Sequence, residues 1–308
     1  MKTQEKYASV KMTEIPYNVY TPMIRFRYYG IIQIIHPFGE HIERYDHFAR
    51  YLCNKGFVVI VSEILGHDGA LFQNELGYFD KKYGWESLIQ DLDRLRSMIH
   101  PRYADLPYFM LSIGSANVLL QSYLMQYGDY VQGALMIGMF HRGDNLTFKS
   151  LLLQADILIF GNKHHSELLD RMVFGHVRQV RHYNYKKMKW LSHDEKVIKD
   201  YIEDSKLGFV FTTTALKEIV TGMKQFNTVS KKSKLYNSCP LLLLNGNDDP
   251  IGGGDSYARF LGKLYRSAGI EDVQYFTYPN TKHDMLHDLN WEEIYDDIWM
   301  WLYDHTYR

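Results

Sequence analysis

The chain has 308 residues, 46% of them hydrophobic, enough for one large core with an insertion or for two small domains. Its 35 basic and 36 acidic residues nearly cancel, so bulk charge makes no case for nucleic acid or an anionic membrane. Two cysteines, Cys53 and Cys239, are too few for a disulfide framework; with no signal-peptide core and no run near the roughly 18 apolar residues of a spanning helix, a cytoplasmic protein is expected.

In chain order, short apolar runs predict strands at 30–36, 56–64, 108–113, 133–139, 240–247 and 272–279. Between them, HIERYDHFARYLCNKG (41–56) and WESLIQDLDRLRSMIH (85–100) repeat apolar residues at helical spacing, the first closing on Gly56. Near-continuous apolar strands alternating with helices imply a mostly parallel sheet covered on both faces. From 141 to 235 the strand rhythm stops and the pattern turns helical, rich in Lys, His and Tyr, which predicts a helical cap inserted between core segments 1–140 and 236–308. The last helix, NWEEIYDDIWMWLYDH (290–305), places Trp291, Ile294, Ile298 and Trp301 on one face to dock on the sheet.

The chemistry-bearing residues fall at the predicted strand ends. Ser112 follows YFML and precedes the helix-like NVLLQSYLMQY; Asp249 lies in GNDDPIGG after the next-to-last strand; His283 lies in NTKHDM after the last. Acyl transfer by serine needs a nucleophile on a tight strand-to-helix turn, a histidine base, a carboxylate to orient it and backbone N–H donors for the oxyanion. The order serine, acid, histidine is the one found in α/β-hydrolases. Ser112 as nucleophile, His283 as base and Asp249 as its orienting acid are therefore expected together at the C-terminal edge of the sheet.

Several longer stretches strengthen this reading: HPFGEHIERYDHFARYLCNKGF (36–57), SEILGHDGA (62–70), GYFDKKYGWESLIQDLD (77–93), LSIGS (111–115), KWLSHDEKVIKDYIEDSKLGF (189–209), GNDDPIGG (246–253) and YPNTKHDMLHD (278–288). Over nearly its whole length the sequence resembles the monoacylglycerol lipase and lysophospholipase L2 branch of the α/β-hydrolases, often grouped with serine aminopeptidase-like hydrolases. That resemblance implies an α/β-hydrolase fold, ester hydrolysis of a lipid such as a lysophospholipid or monoacylglycerol, no cofactor, and oxyanion donors at the backbone N–H groups of Phe38 and Ile113.

Three departures from the family pattern stand out. The usual Gly-x-Ser-x-Gly is Met110-Leu111-Ser112-Ile113-Gly114, Pro37 replaces a glycine, and the Gly-His-Gly loop reads Gly66-His67-Asp68. Methionine where a strand and helix close tightly must either point its adaptable side chain into a gap or push the two apart, and only the second outcome disturbs the aim of the serine. The readings to be separated are an active lipid esterase, a non-catalytic binding member of the fold, and a peptidase or thioesterase using the same triad.

Other clusters point to bland roles. His36 is expected to brace its turn; His164, His165 and Glu167 lack metal-ligand spacing; the glycines at 252–254 lack the Lys-Ser/Thr of a phosphate loop. Lys186, Lys187 and Lys189, with Tyr183, Tyr185 and Trp190, form a basic patch expected to be solvated, so any membrane contact would be peripheral and through the cap.

Overall fold

The computed structural model describes residues 1–23, 27–140, 145–175, 188–232 and 239–307, the side chains of 226–232 excepted. Six parallel strands form where the apolar runs predict them: β3 (Gly30–Ile35), β4 (Phe57–Ser62), β5 (Tyr108–Ile113), β6 (Gly133–Ile137), β7 (Leu241–Gly246) and β8 (Val273–Tyr278). Two strands that those runs do not mark, β1 (Lys2–Ala8) and β2 (Glu14–Tyr20), form a hairpin whose second strand pairs antiparallel with β4. β1, at the sheet's edge, is polar and mostly half-buried or exposed, whereas β2 inside it buries Tyr17–Tyr20 in succession. The order across the sheet is β1-β2-β4-β3-β5-β6-β7-β8.

Alternation along each strand feeds two cores. Ile31, Met110, Leu241 and Leu243 point to the layer of α2 (Gly84–Ile99), α3 (Asn117–Tyr127), α7 (Thr213–Lys232) and α8 (Gly254–Ser267). Ile32, Leu111, Leu242 and Leu244 point to that of α1 (Asp46–Asn54) and α9 (Trp291–His305). The α/β-hydrolase architecture expected from sequence is the one observed. Met110 is fully buried in the first core and Leu111 in the second, so neither side chain lies at the turn that follows β5.

Between β6 and β7 the described residues form helices only: α4 (Leu146–Phe160), α5 (Glu167–Phe174), α6 (Glu195–Glu203) and α7. α7 belongs to two layers, packing against α4 and α5 on one side and α2 and α3 on the other. Its Glu218 carboxylate accepts from Trp85 N at 2.8 Å, satisfying an open N–H in the first turn of α2.

Candidate active site

The loops at the C-terminal ends of β3, β5, β7 and β8 meet at one pocket, as an open parallel sheet favours. His283 donates from Nδ1 to Asp249 Oδ2 at 2.8 Å, while Asp249 Oδ1 accepts from Ile251 N at 2.8 Å. Asp249 is buried and His283 nearly so. Burial alone would lower the imidazole pKa, but the Asp249 charge and hydrogen bond outweigh it and raise it above its ordinary value. The triple glycine after Asp249 serves close approach: a Cβ on Gly252 would lie 2.4 Å from Asp249 Oδ2.

The structure does not bring Ser112 to this pair. Ser112 is the fifth residue of β5, in register between Ile35 and Met136, and is fully buried. Its Oγ donates to Asn117 Oδ1 at 2.7 Å, and Asn117 Nδ2 reaches the carbonyls of Ile137 and Gly138, both at 3.2 Å. Ser112 is thus a tie between β5, the start of α3 and the end of β6.

The strand-to-helix turn comes two residues later, at Gly114. Gly114 has φ +54°, and a Cβ built on it would stand 3.2 Å from His283 Nε2 and 3.4 Å from Pro37 Cγ. Glycine occupies the position from which a side chain would face the histidine. The small residues two before and two after the turn are Ser112 and Ala116, so the packing need that a methionine would have violated is met once the turn is placed correctly.

The oxyanion reading shifts in the same way. Ile113 still lies in β5, paired with Ile137, and precedes the turn; the residue that follows the turn position is Ser115. Phe38 N–H does project from the loop after β3, as expected, but donates to Ser115 Oγ at 2.9 Å. Pro37 leaves that donor untouched because the N–H belongs to the next residue.

A second set of polar groups fixes the β3 loop. His67 accepts at one ring nitrogen and donates at the other: Gly39 N donates to its Nε2 at 2.9 Å, and its Nδ1 donates to the Ile64 carbonyl at 3.2 Å. The Gly66-His67-Asp68 loop therefore still holds the turn. His36 is fully buried, its Nε2 3.2 Å from Glu63 Oε2 and its Nδ1 2.9 Å from the Pro37 carbonyl, the bracing arrangement expected of it. Burial opposes its protonation, yet Glu63 raises its pKa above the ordinary value.

Sequence reasoning passed over the residues that join the stretch 191–193 to the histidine loop. Asp284 N donates to the Leu191 carbonyl at 2.9 Å, and Lys282 Nζ to the Ser192 carbonyl at 3.1 Å. Buried Asp288 accepts from His193 N and Lys282 N, each at 2.7 Å, and from Ser192 Oγ at 3.1 Å. Asp284 also pairs with Arg44 and with His287 Nδ1, and Arg44 with Glu40. Burial would raise the Asp284 carboxyl, but His287 and Arg44 hold it well below the usual carboxylate range. The density of charged residues in KHDMLHD was the available signal.

The pocket encloses a cavity of about 60 Å³ that opens to the surface. Phe38, Ile113, Phe140, Phe174, Trp190, Leu191 and Ile251 supply its apolar wall, with Glu40, Ser115, Tyr201, His283 and Asp284 as polar points, the balance of a small-molecule site. The other candidates lie elsewhere. His164 pairs with Asp156, His165 with Glu75 and Glu167 with Arg171, so the three do not converge. Lys186, Lys187, Tyr183 and Tyr185 fall outside the described residues. No helix among the described residues is long and apolar enough to cross a membrane.

With this geometry in place, a family model for serine aminopeptidases, S33, within the hydrolases matches residues 28–290. The chain belongs to the serine aminopeptidase S33 family. Solved structures carry the same fold. A thermostable carboxyl esterase from Bacillus coagulans superposes with a TM-score of 0.87 at 22% identity, covering 99% of each chain. Monoacylglycerol lipase from Paleococcus ferrophilus gives 0.71 at 18% identity, covering 98% of this chain and 99% of its own. A soluble variant of monoglyceride lipase from Saccharomyces cerevisiae gives 0.76 at 13%, covering 99% and 96%. At these identities the likeness establishes the fold, which this S33 member shares from end to end.

Proposed function

We propose that this S33 member hydrolyses a carboxylic ester with an apolar acyl part, a monoacylglycerol or lysophospholipid being the kind of substrate the resemblance suggests. The observation that carries the reading is the His283–Asp249 pair at the wall of a mostly apolar pocket. In it His283 takes and returns the proton, Asp249 fixes the Nδ1–H tautomer, and Phe38 N–H serves the developing oxyanion. The segment 141–235 acts as the cap, with Phe140, Phe174 and Leu191 flanking the acyl chain. Exposed Phe148, Leu151, Leu158 and Ile159 on α4 support no more than peripheral contact with a lipid surface. No step calls for a metal or organic cofactor.

The test is turnover of 4-nitrophenyl esters of increasing chain length by the wild type and by His283→Ala. Wild-type turnover that falls by about 100-fold or more in the variant supports the reading. A folded wild type that turns over none of these esters refutes it. Gly114 favours a second reading, a pocket that binds such compounds without converting them, and ligand-dependent thermal stabilisation without turnover would establish it.

A further inference from the structure

Resting on the ester reading, we propose that water, held between the Cα of Gly114 and Nε2 of His283, attacks the ester directly, so that no acyl-enzyme forms. Gly114 has the positive φ and the location of a nucleophile turn, with the position of its absent Cβ 3.2 Å from Nε2. A hydroxymethyl group there would place its oxygen against the histidine; glycine leaves that space to solvent. Among the described residues Nε2 has no hydrogen-bond partner, while Nδ1 is held by Asp249, which is the tautomer a general base requires.

Neither neighbouring hydroxyl takes over the role. Ser112 Oγ is buried in β5 and donates to Asn117. Ser115 Oγ is turned to the Phe38 N–H, the donor that a substrate carbonyl needs. The substrate oxygen must therefore displace Ser115 from Phe38 before it is polarised.

The step balances without a co-reactant. As the water oxygen bonds to the carbonyl carbon, its proton passes to His283 Nε2 and the carbonyl electrons move to the oxyanion. Collapse breaks the bond to the alkoxide, which takes the proton back from Nε2, leaving acid, alcohol and neutral histidine. Asp249 steadies the imidazolium in between. Without a covalent nucleophile, binding and an oxyanion site supply on the order of 1,000- to 10,000-fold over water, and general-base catalysis by His283 adds about 100-fold to that.

The experiment uses the full chain with 4-nitrophenyl butyrate, intact-protein mass spectrometry during turnover and a fluorophosphonate label, on wild type, Gly114→Ser, Ser112→Ala and Ser115→Ala. The expected wild type turns over with no burst, no label and no butyryl adduct. Gly114→Ser then takes the label, shows a burst and gains about 100-fold or more in kcat/KM. A wild type that labels, with the label lost in Ser115→Ala or Ser112→Ala, overturns direct attack and leaves ester hydrolysis standing. Turnover confined to Gly114→Ser overturns both. Should Gly114→Ser fail to fold, a butyryl adduct on the wild type decides: its presence during turnover refutes the water route, and its absence together with the absence of a burst supports it.

Discussion

At the ends of β7 and β8 the polar groups hold one another in working order: Asp249 engages both His283 and Ile251 N, and the histidine ring keeps one nitrogen toward the pocket. At the ends of β3 and β5 the same kinds of groups have turned inward. Ser112 bonds to Asn117, Ser115 covers the Phe38 N–H, and the turn residue is a glycine. On the proposed reading, one half of the site holds the parts for moving a proton, and the other presents no side chain to use them. Glycine adopts the positive φ of that turn at less cost than serine does.

The sharpest way to break this contrast is Asp249→Asn. If the β7–β8 half is working machinery, the substitution removes the acceptor that fixes the His283 tautomer and cuts ester turnover by about 100-fold, the same order as His283→Ala, with the thermal midpoint measured alongside to show that the fold persists. A variant with unchanged turnover would reduce that half to a structural pair. The pH profile sharpens the contrast next. His283 must be neutral to accept a proton, and its raised pKa means that kcat/KM climbs with pH through a midpoint above the ordinary 6.5. The same raised pKa gives the Asp249 pair a stabilising contribution that is complete below that ordinary value and lost as pH rises through the folded one. A midpoint below 6.5 would contradict the pairing. Smallest is Ser112→Ala, which leaves turnover unchanged but removes the partner of buried Asn117, lowering stability by about 1–2 kcal/mol in denaturant unfolding. A collapse of turnover with intact stability would return Ser112 to the reaction.

The sheet was legible because β3, β4, β5 and β7 are apolar on both faces, a pattern that only a doubly covered strand explains. Asp249 and His283 were legible for a related reason: each sits in a polar loop directly after such a strand. The nucleophile position was not. The serine of LSIGS drew the motif onto itself and made Gly114 its trailing glycine, whereas the ladder runs through Ser112 and ends at Ile113. A turn is defined by backbone angle and by where pairing stops, and a glycine there carries no side chain to announce it. The flanking small residues, Ser112 and Ala116, were the one local trace. The contacts of Asp288 and Asp284 with Leu191–His193 were hidden because those partners lie far away in sequence.

Those contacts give the protein a mechanical property. Leu191, Ser192 and His193 are fastened to Asp284, Lys282 and Asp288, on both sides of His283 in the chain. A displacement of Leu191–His193 away from the pocket would therefore be transmitted to the histidine's own loop and to its contact with Asp249. Under the proposed function, admitting a ligand past this stretch and keeping the base aligned are mechanically coupled.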